Sequence, residues 1–124
     1  MKRELIESNP ILKLTFDFSL IVIDYCSVLD KIKKYIVSNQ LLRCATSIGA
    51  NSMEFQNSES RADVIHKIKI AAKEADETQY CLMLCSYSKN YPECNPLLLK
   101  LEDIQKVLNK ILGTAKRKTR LVIY

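Results

Sequence analysis

Six polar side chains recur at helical spacing in two parts of the chain. Each group follows one face of a helix, because residues three and four apart lie on the same side. The groups are Ser47, Asn51 and Glu54, and Glu74, Glu77 and Thr78. If the two faces meet, we expect a polar network that sets the register between the helices, provided that each member is hydrogen-bonded.

A ligand-binding or acid–base site would use the three carboxylates of this set, Glu54, Glu74 and Glu77. We favour the structural role, because neither a nucleophile nor a histidine accompanies the carboxylates. A di-iron bundle needs a Glu-x-x-His pair on each of two helices, whereas the chain has one histidine, His66. The metal or small-molecule site is therefore the weaker alternative, and we predict no metal and no cofactor.

Cysteines offer a second possible metal site. Cys81 and Cys85 are one helical turn apart and Cys94 follows, so that with His66 they would supply four zinc ligands. The spacing is not that of a zinc knuckle, and buried free cysteines are common in protein cores.

The chain also lacks a Gly-rich phosphate loop, a nucleophile elbow and a zinc-protease motif. We predict that the protein is not an enzyme.

Positive charge is concentrated near the C-terminus. The formal net charge is +5, and residues 101–124 hold six cations against two anions. Such a cluster attracts polyanions, and we predict nucleic-acid contacts there, with Arg43 as a weaker candidate. The alternative is a solvated helix end whose cations complement the helix dipole. The six cations are Lys106, Lys110, Lys116, Arg117, Lys118 and Arg120.

Caps and apolar periodicity predict four helices that position these residues. The first helix opens at Asn9 and Pro10, and the second runs from about Ser38, with Ser38 or Asn39 as its cap, to Gln56. The third runs from Ser60 to about residue 88, and the fourth, opening at residues 95 and 96, precedes a basic tail of about residues 113–124. Short connections predict an all-α, up-down-up-down antiparallel four-helix bundle, a single domain over residues 1–124.

Composition excludes several other classes of protein. Two glycines and three prolines are too few for the turns of a β-sandwich or barrel. The longest strictly apolar run, residues 80–85, is far below the ~20 residues of a membrane span. The first residues lack the apolar core of a signal peptide, so we expect a cytoplasmic protein whose five cysteines are reduced thiols. The apolar arc of the first helix is wider than one partner helix needs, which indicates self-association.

Two segments resemble the 23S rRNA intervening-sequence protein family. Residues 40–51, QLLRCATSIGAN, are similar to the family's signature, and residues 68–82, IKIAAKEADETQYCL, are similar to its second block. Arg43 and five members of the polar set match motif positions, namely Ser47, Asn51, Glu74, Glu77 and Thr78. Gly49 departs from the pattern, since many members have proline there.

The resemblance implies a four-helix bundle that assembles into a ring, typically a homopentamer. A related branch is the accessory variability protein of diversity-generating retroelements, which binds nucleic acid and a reverse transcriptase. Together with the basic C-terminal segment, this leads us to expect a non-enzymatic oligomer that binds RNA or DNA electrostatically. The alternative is a scaffold that recruits a partner protein.

Overall fold

The computed structural model describes the backbone of residues 3–123 and the side chains of residues 3–117. This part of the chain is all-α and contains no strand, as predicted. The helices are α1 (Arg3–Ser8), α2 (Pro10–Lys31), α3 (Tyr35–Phe55), α4 (Arg61–Tyr87) and α5 (Asn95–Ile123).

Two of the predicted helix starts are confirmed with their caps. The Asn9 side chain accepts a hydrogen bond from the Leu12 amide at 3.3 Å, and Pro10 occupies the first turn of α2. Ser60 Oγ accepts from the Asp63 amide at 3.1 Å at the start of α4. Each cap satisfies an amide that would otherwise lack a partner, because the first turn of a helix has no carbonyl before it.

The predicted start of α3 is wrong. The helix begins at Tyr35, and neither Ser38 nor Asn39 caps it. Lys33 adopts φ 64°, so the chain reverses direction within three residues. Helix α3 therefore begins earlier than the positions of Ser38 and Asn39 indicate. Ser38 is instead buried inside α3, where its Oγ donates a hydrogen bond to the Cys26 carbonyl of α2 at 3.2 Å.

Two helical segments were not anticipated. The short helix α1 precedes the Asn9 cap and buries Ile6 against the bundle. At the other terminus, α5 continues through Gly113 to Ile123, so the segment expected as a tail is helical over that range. Tyr124 lies outside the described residues.

Neighbouring helices run antiparallel. Near one end of the α3–α4 contact the Cys81 thiol lies 4.0 Å from the Val37 carbonyl, and near the other Lys67 Nζ lies 3.1 Å from Glu54. Residue numbers therefore rise along α3 as they fall along α4. The same reversal relates α2 to α3 and α4 to α5. α2 also contacts α5, which closes the four long helices around one core.

Gly49 faces Thr15 of α2 across the contact between α2 and α3. A β-carbon built on Gly49 would lie 3.5 Å from Cβ and Oγ1 of Thr15, which is ordinary van der Waals contact. A glycine costs roughly 1 kcal/mol relative to alanine inside a helix. An alanine would therefore fit at Gly49 beside the buried Thr15, and this contact does not require a glycine.

Tyr25 ties α2 to the connection between α4 and α5. Its buried Oη donates a 2.7 Å hydrogen bond to the Pro92 carbonyl. Burial raises the pKa of Tyr25 well above the ordinary value, so the hydroxyl keeps its proton and remains a donor.

We expect Tyr25→Phe to lower the free energy of unfolding by about 1 kcal/mol, because the Pro92 carbonyl loses its partner. Urea denaturation followed by circular dichroism measures this loss.

The matched control is Tyr35→Phe. Tyr35 is 54% exposed and its hydroxyl makes no hydrogen bond to residues 3–117. Its loss of hydroxyl should change stability little. Equal effects of the two substitutions would contradict the structural role assigned to Tyr25.

Candidate functional site

Arg43 is the centre of a polar seam between α3 and α4. Its Nη1 lies 3.4 Å from Glu74 Oε2, and its Nη2 lies 3.0 Å from Glu77 Oε2. The hydrogen bond to Glu77 raises the pKa of Arg43 further, so the guanidinium stays charged. The side chain of Glu74 is 13% exposed, against 53% for that of Arg43. The guanidinium therefore covers a largely buried carboxylate from the solvent side.

Other predicted members of the network bond mostly within their own helices. Asn51 Nδ2 donates to the carbonyl and the hydroxyl of Ser47, at 2.9 and 3.2 Å, inside α3. The buried Thr78 donates to the Glu74 carbonyl at 2.7 Å inside α4. The six residues thus lie along one seam but do not form a continuous network.

Lys67 is a member of this seam that the sequence reasoning missed. Its Nζ lies 3.1 Å from Glu54 Oε2 and joins the second end of α3 to α4. The sequence shows a lysine at position 67 of α4, but its position relative to Glu54 depends on the register between α3 and α4. That register follows from tertiary packing and is not visible in the spacing of either segment.

The seam holds its carboxylates in ion pairs. Glu54, Glu74 and Glu77 each face a cation within 3.4 Å. Within residues 3–117, no group of three or more His, Cys, Asp or Glu side chains is placed to hold a metal ion. This arrangement is more consistent with a structural contact between two helices than with an acid–base site.

All five cysteines are free and buried. Burial raises the pKa of the Cys26, Cys44 and Cys94 thiols. Cys26 and Cys94 donate to backbone carbonyls at 3.4 and 3.2 Å, which satisfies them inside the core. His66, the remaining candidate ligand, is exposed.

The basic residues of α5 differ in whether they are paired. Lys106 lies 3.6 Å from Glu102, one turn away. Lys110, Lys116 and Arg117 make no ion pair within the described side chains. The side chains of Lys118 and Arg120 lie outside the described residues.

The start of α4 adds cations that the sequence reasoning did not include. Because α4 and α5 are antiparallel, Arg61 and Lys110 line the same surface cleft. Lys69 is exposed about two turns further along α4, and neither it nor Arg61 makes an ion pair with a described side chain. Counting charge along the chain missed these residues, since residues 61–100 are nearly neutral in total. We call Arg61, Lys69, Lys110, Lys116 and Arg117 the basic end.

The fold places the protein in the class of small antiparallel helical bundles, with polar side-chain contacts between its helices. Within that class the chain belongs to the 23S rRNA-intervening sequence protein family, whose model matches residues 7–110. The resemblance noted in residues 40–51 and 68–82 is thereby confirmed.

One solved structure is similar over most of its length. It is a protein of unknown function from the S23 ribosomal protein family of Bacteroides thetaiotaomicron VPI-5482, determined at 1.70 Å. The two chains are 32% identical with a TM-score of 0.78, and the match covers 82% of this chain and 97% of that one. No curated protein matches the chain. No helix among the described residues is long and apolar enough to cross a membrane.

We expect Arg43→Met to lower the midpoint of thermal unfolding, because the largely buried Glu74 carboxylate would lose its cation while most of the side-chain stem is retained. The loss should shrink as salt is raised from 0.05 to about 1 M, since screening weakens the pair in the parent protein. Differential scanning calorimetry at both salt concentrations measures it.

Lys100→Met is the control. Lys100 is exposed on α5 and makes no ion pair within residues 3–117, so removing its charge should have little effect. A midpoint that is the same for the parent protein and Arg43→Met at low salt would show that the seam does not stabilise the α3–α4 contact.

Proposed function

We propose that the protein is a non-enzymatic, self-associating helical bundle that binds nucleic acid, RNA above all, through contacts to phosphates. The observation that supports this function is the basic end, where exposed cations of α4 and α5 come together without carboxylate partners among residues 3–117. Unpaired cations are free to replace the counterions that surround a polyanion, whereas paired ones would first have to give up a carboxylate.

The position of the exposed aromatic residues supports phosphate contact over base recognition. Tyr80 and Tyr87 are exposed, but they lie towards the C-terminal end of α4, away from Arg61 at its start. Base stacking needs aromatic rings interleaved with the cations that hold the backbone. Binding through the basic end alone would therefore depend little on sequence.

Self-association would multiply this electrostatic effect. Five copies, the number the family resemblance implies, would carry 5 × 5 = +25 formal charges. A ring relates its subunits by rotation about one axis, so all basic ends would lie at the same height along that axis. The resulting field would attract polyanions far more strongly than one subunit with a charge of +5.

The decisive variant reverses three cations of the basic end, as Lys110→Glu, Lys116→Glu and Arg117→Glu together. We expect it to abolish filter binding of a labelled single-stranded RNA at low salt. For the parent protein, the logarithm of affinity should fall linearly with the logarithm of salt, with a slope of about 0.7 per phosphate contact.

The control reverses three cations at the opposite end of the bundle, Lys31, Lys89 and Lys100. It changes the net charge by the same amount and should retain most of the affinity. Equal loss in both variants would mean that total charge, and not the basic end, drives binding. No measurable RNA binding by the parent protein at low salt would overturn nucleic-acid binding and leave the scaffold for a partner protein.

Multi-angle light scattering tests self-association separately. We expect a single species whose mass is a multiple of 14.3 kDa, with five copies as the expected number. Measurement in nucleic-acid-free buffer at micromolar concentration keeps this result independent of RNA binding. A mass of one chain under these conditions would contradict the ring.

A further inference from the structure

The C-terminal third of α4 carries an exposed apolar ridge. Tyr80, Met83, Leu84 and Tyr87 follow one another at helical spacing and are all exposed, Tyr80 to 67%. Residues 78–88 include no charged residue at all. A solvent-exposed C-terminal end of a helix normally favours cations in its last turn, and the last turn of α4 has none. We call these four residues the α4 ridge.

A second uncharged surface lies between α2 and α3, on different helices from the ridge. It contains an apolar cleft of about 160 Å³, with small residues forming much of its lining. The exposed Leu20 and Ile23 extend the surface along α2 beyond Phe16. Besides the buried Ile6 and Leu12, the residues that line this α2–α3 cleft are Phe16, Ser19, Thr46, Gly49, Ala50 and Met53.

The two surfaces are complementary in size and in polarity. The ridge presents two exposed tyrosines, and the cleft is a depression lined by small and apolar groups. An apolar cavity of about 150 Å³ is enough to hold benzene, so the cleft has room for one aromatic ring. The residues that define the two surfaces are uncharged, and charged side chains lie at their borders, Arg3 and Glu7 beside Phe16 and Asp76 and Glu77 beside Tyr80.

The exposed apolar area is of the size that a stable interface needs. Seven exposed side chains contribute, three along α2 and four on the ridge. At roughly 100 Å² each, about half of a large side chain, they expose about 700 Å² of apolar surface. A standard interface buries about 1,600 Å², a little over half of it non-polar. Contact between one ridge and one cleft would supply most of that apolar area.

We infer that the α4 ridge of one subunit docks into the α2–α3 cleft of a second copy of this chain. The contact is head-to-tail, because the two surfaces are different and both are present on every chain. A repeated head-to-tail contact generates a closed ring when its rotation closes, and an open filament when it does not. This inference rests on the self-association in the proposed function and names the surfaces that produce it.

The test uses one variant for each surface. Ala50→Lys places a charge on the exposed wall of the cleft, and Tyr80→Lys places one on the ridge. Each variant alone should have the mass of a monomer by light scattering, because one half of every contact is lost. Leu99→Lys is the control, since Leu99 is 65% exposed on α5 and belongs to neither surface, and it should leave the assembly intact. Circular dichroism confirms that each variant is folded.

Mixing the two variants distinguishes a head-to-tail contact from other arrangements. Ala50→Lys keeps an intact ridge and Tyr80→Lys keeps an intact cleft, so an equimolar mixture should form one-to-one dimers of about twice 14.3 kDa that cannot grow further. A mixture that remains monomeric, or an assembly disrupted by only one of the two substitutions, would overturn the inference. A parent protein that is monomeric would overturn self-association itself, whereas an assembly unaffected by both substitutions would overturn only these surfaces.

Discussion

The register between α3 and α4 is the constraint on which the rest of the structure depends. These two helices share the most extensive contact of the bundle. Small buried residues on α4, Ala71 and Ala75, allow the backbones to approach closely. Polar side-chain contacts then fix the position of each helix along the other, and Arg43 pairs with two carboxylates near the middle of α4. A shift by one turn would separate that arginine from Glu74 and leave a largely buried carboxylate unpaired.

That register also distributes the surface chemistry of the bundle. Once α4 is placed antiparallel to both neighbours, its basic first half lies beside the C-terminal half of α5, as the cleft shared by Arg61 and Lys110 shows. Its uncharged last third, which includes Tyr80 and Tyr87, lies at the opposite end. The same helix thus supports two different proposals, polyanion binding at one end and subunit contact at the other. On α4 itself, the two proposed contacts therefore lie at opposite ends.

Local signals in the sequence were reliable where one helix satisfies its own backbone. Asn9 and Ser60 cap the helices that they were expected to cap, because an N-cap is a bond between residues three apart. The same reasoning failed at Ser38, whose hydroxyl bonds to a carbonyl of α2 instead. Any polar residue near a helix start is a candidate cap, and only the facing helix decides whether a better partner is available. The polar set of α3 and α4 shows the same limit, since its spacing revealed the faces but not Lys67 as the partner of Glu54.

By itself the sequence determined the all-α class, two helix starts, the polar faces of α3 and α4 and the excess of cations after residue 100, because each of these depends on composition or on residues within one or two turns. The tertiary structure decided the pairing of those faces, the extension of the basic surface onto α4 and the exposure of an apolar ridge and cleft. These features depend on which helix lies opposite and at what height. That choice is made by the packing of small and large side chains across the whole core, which no local pattern encodes.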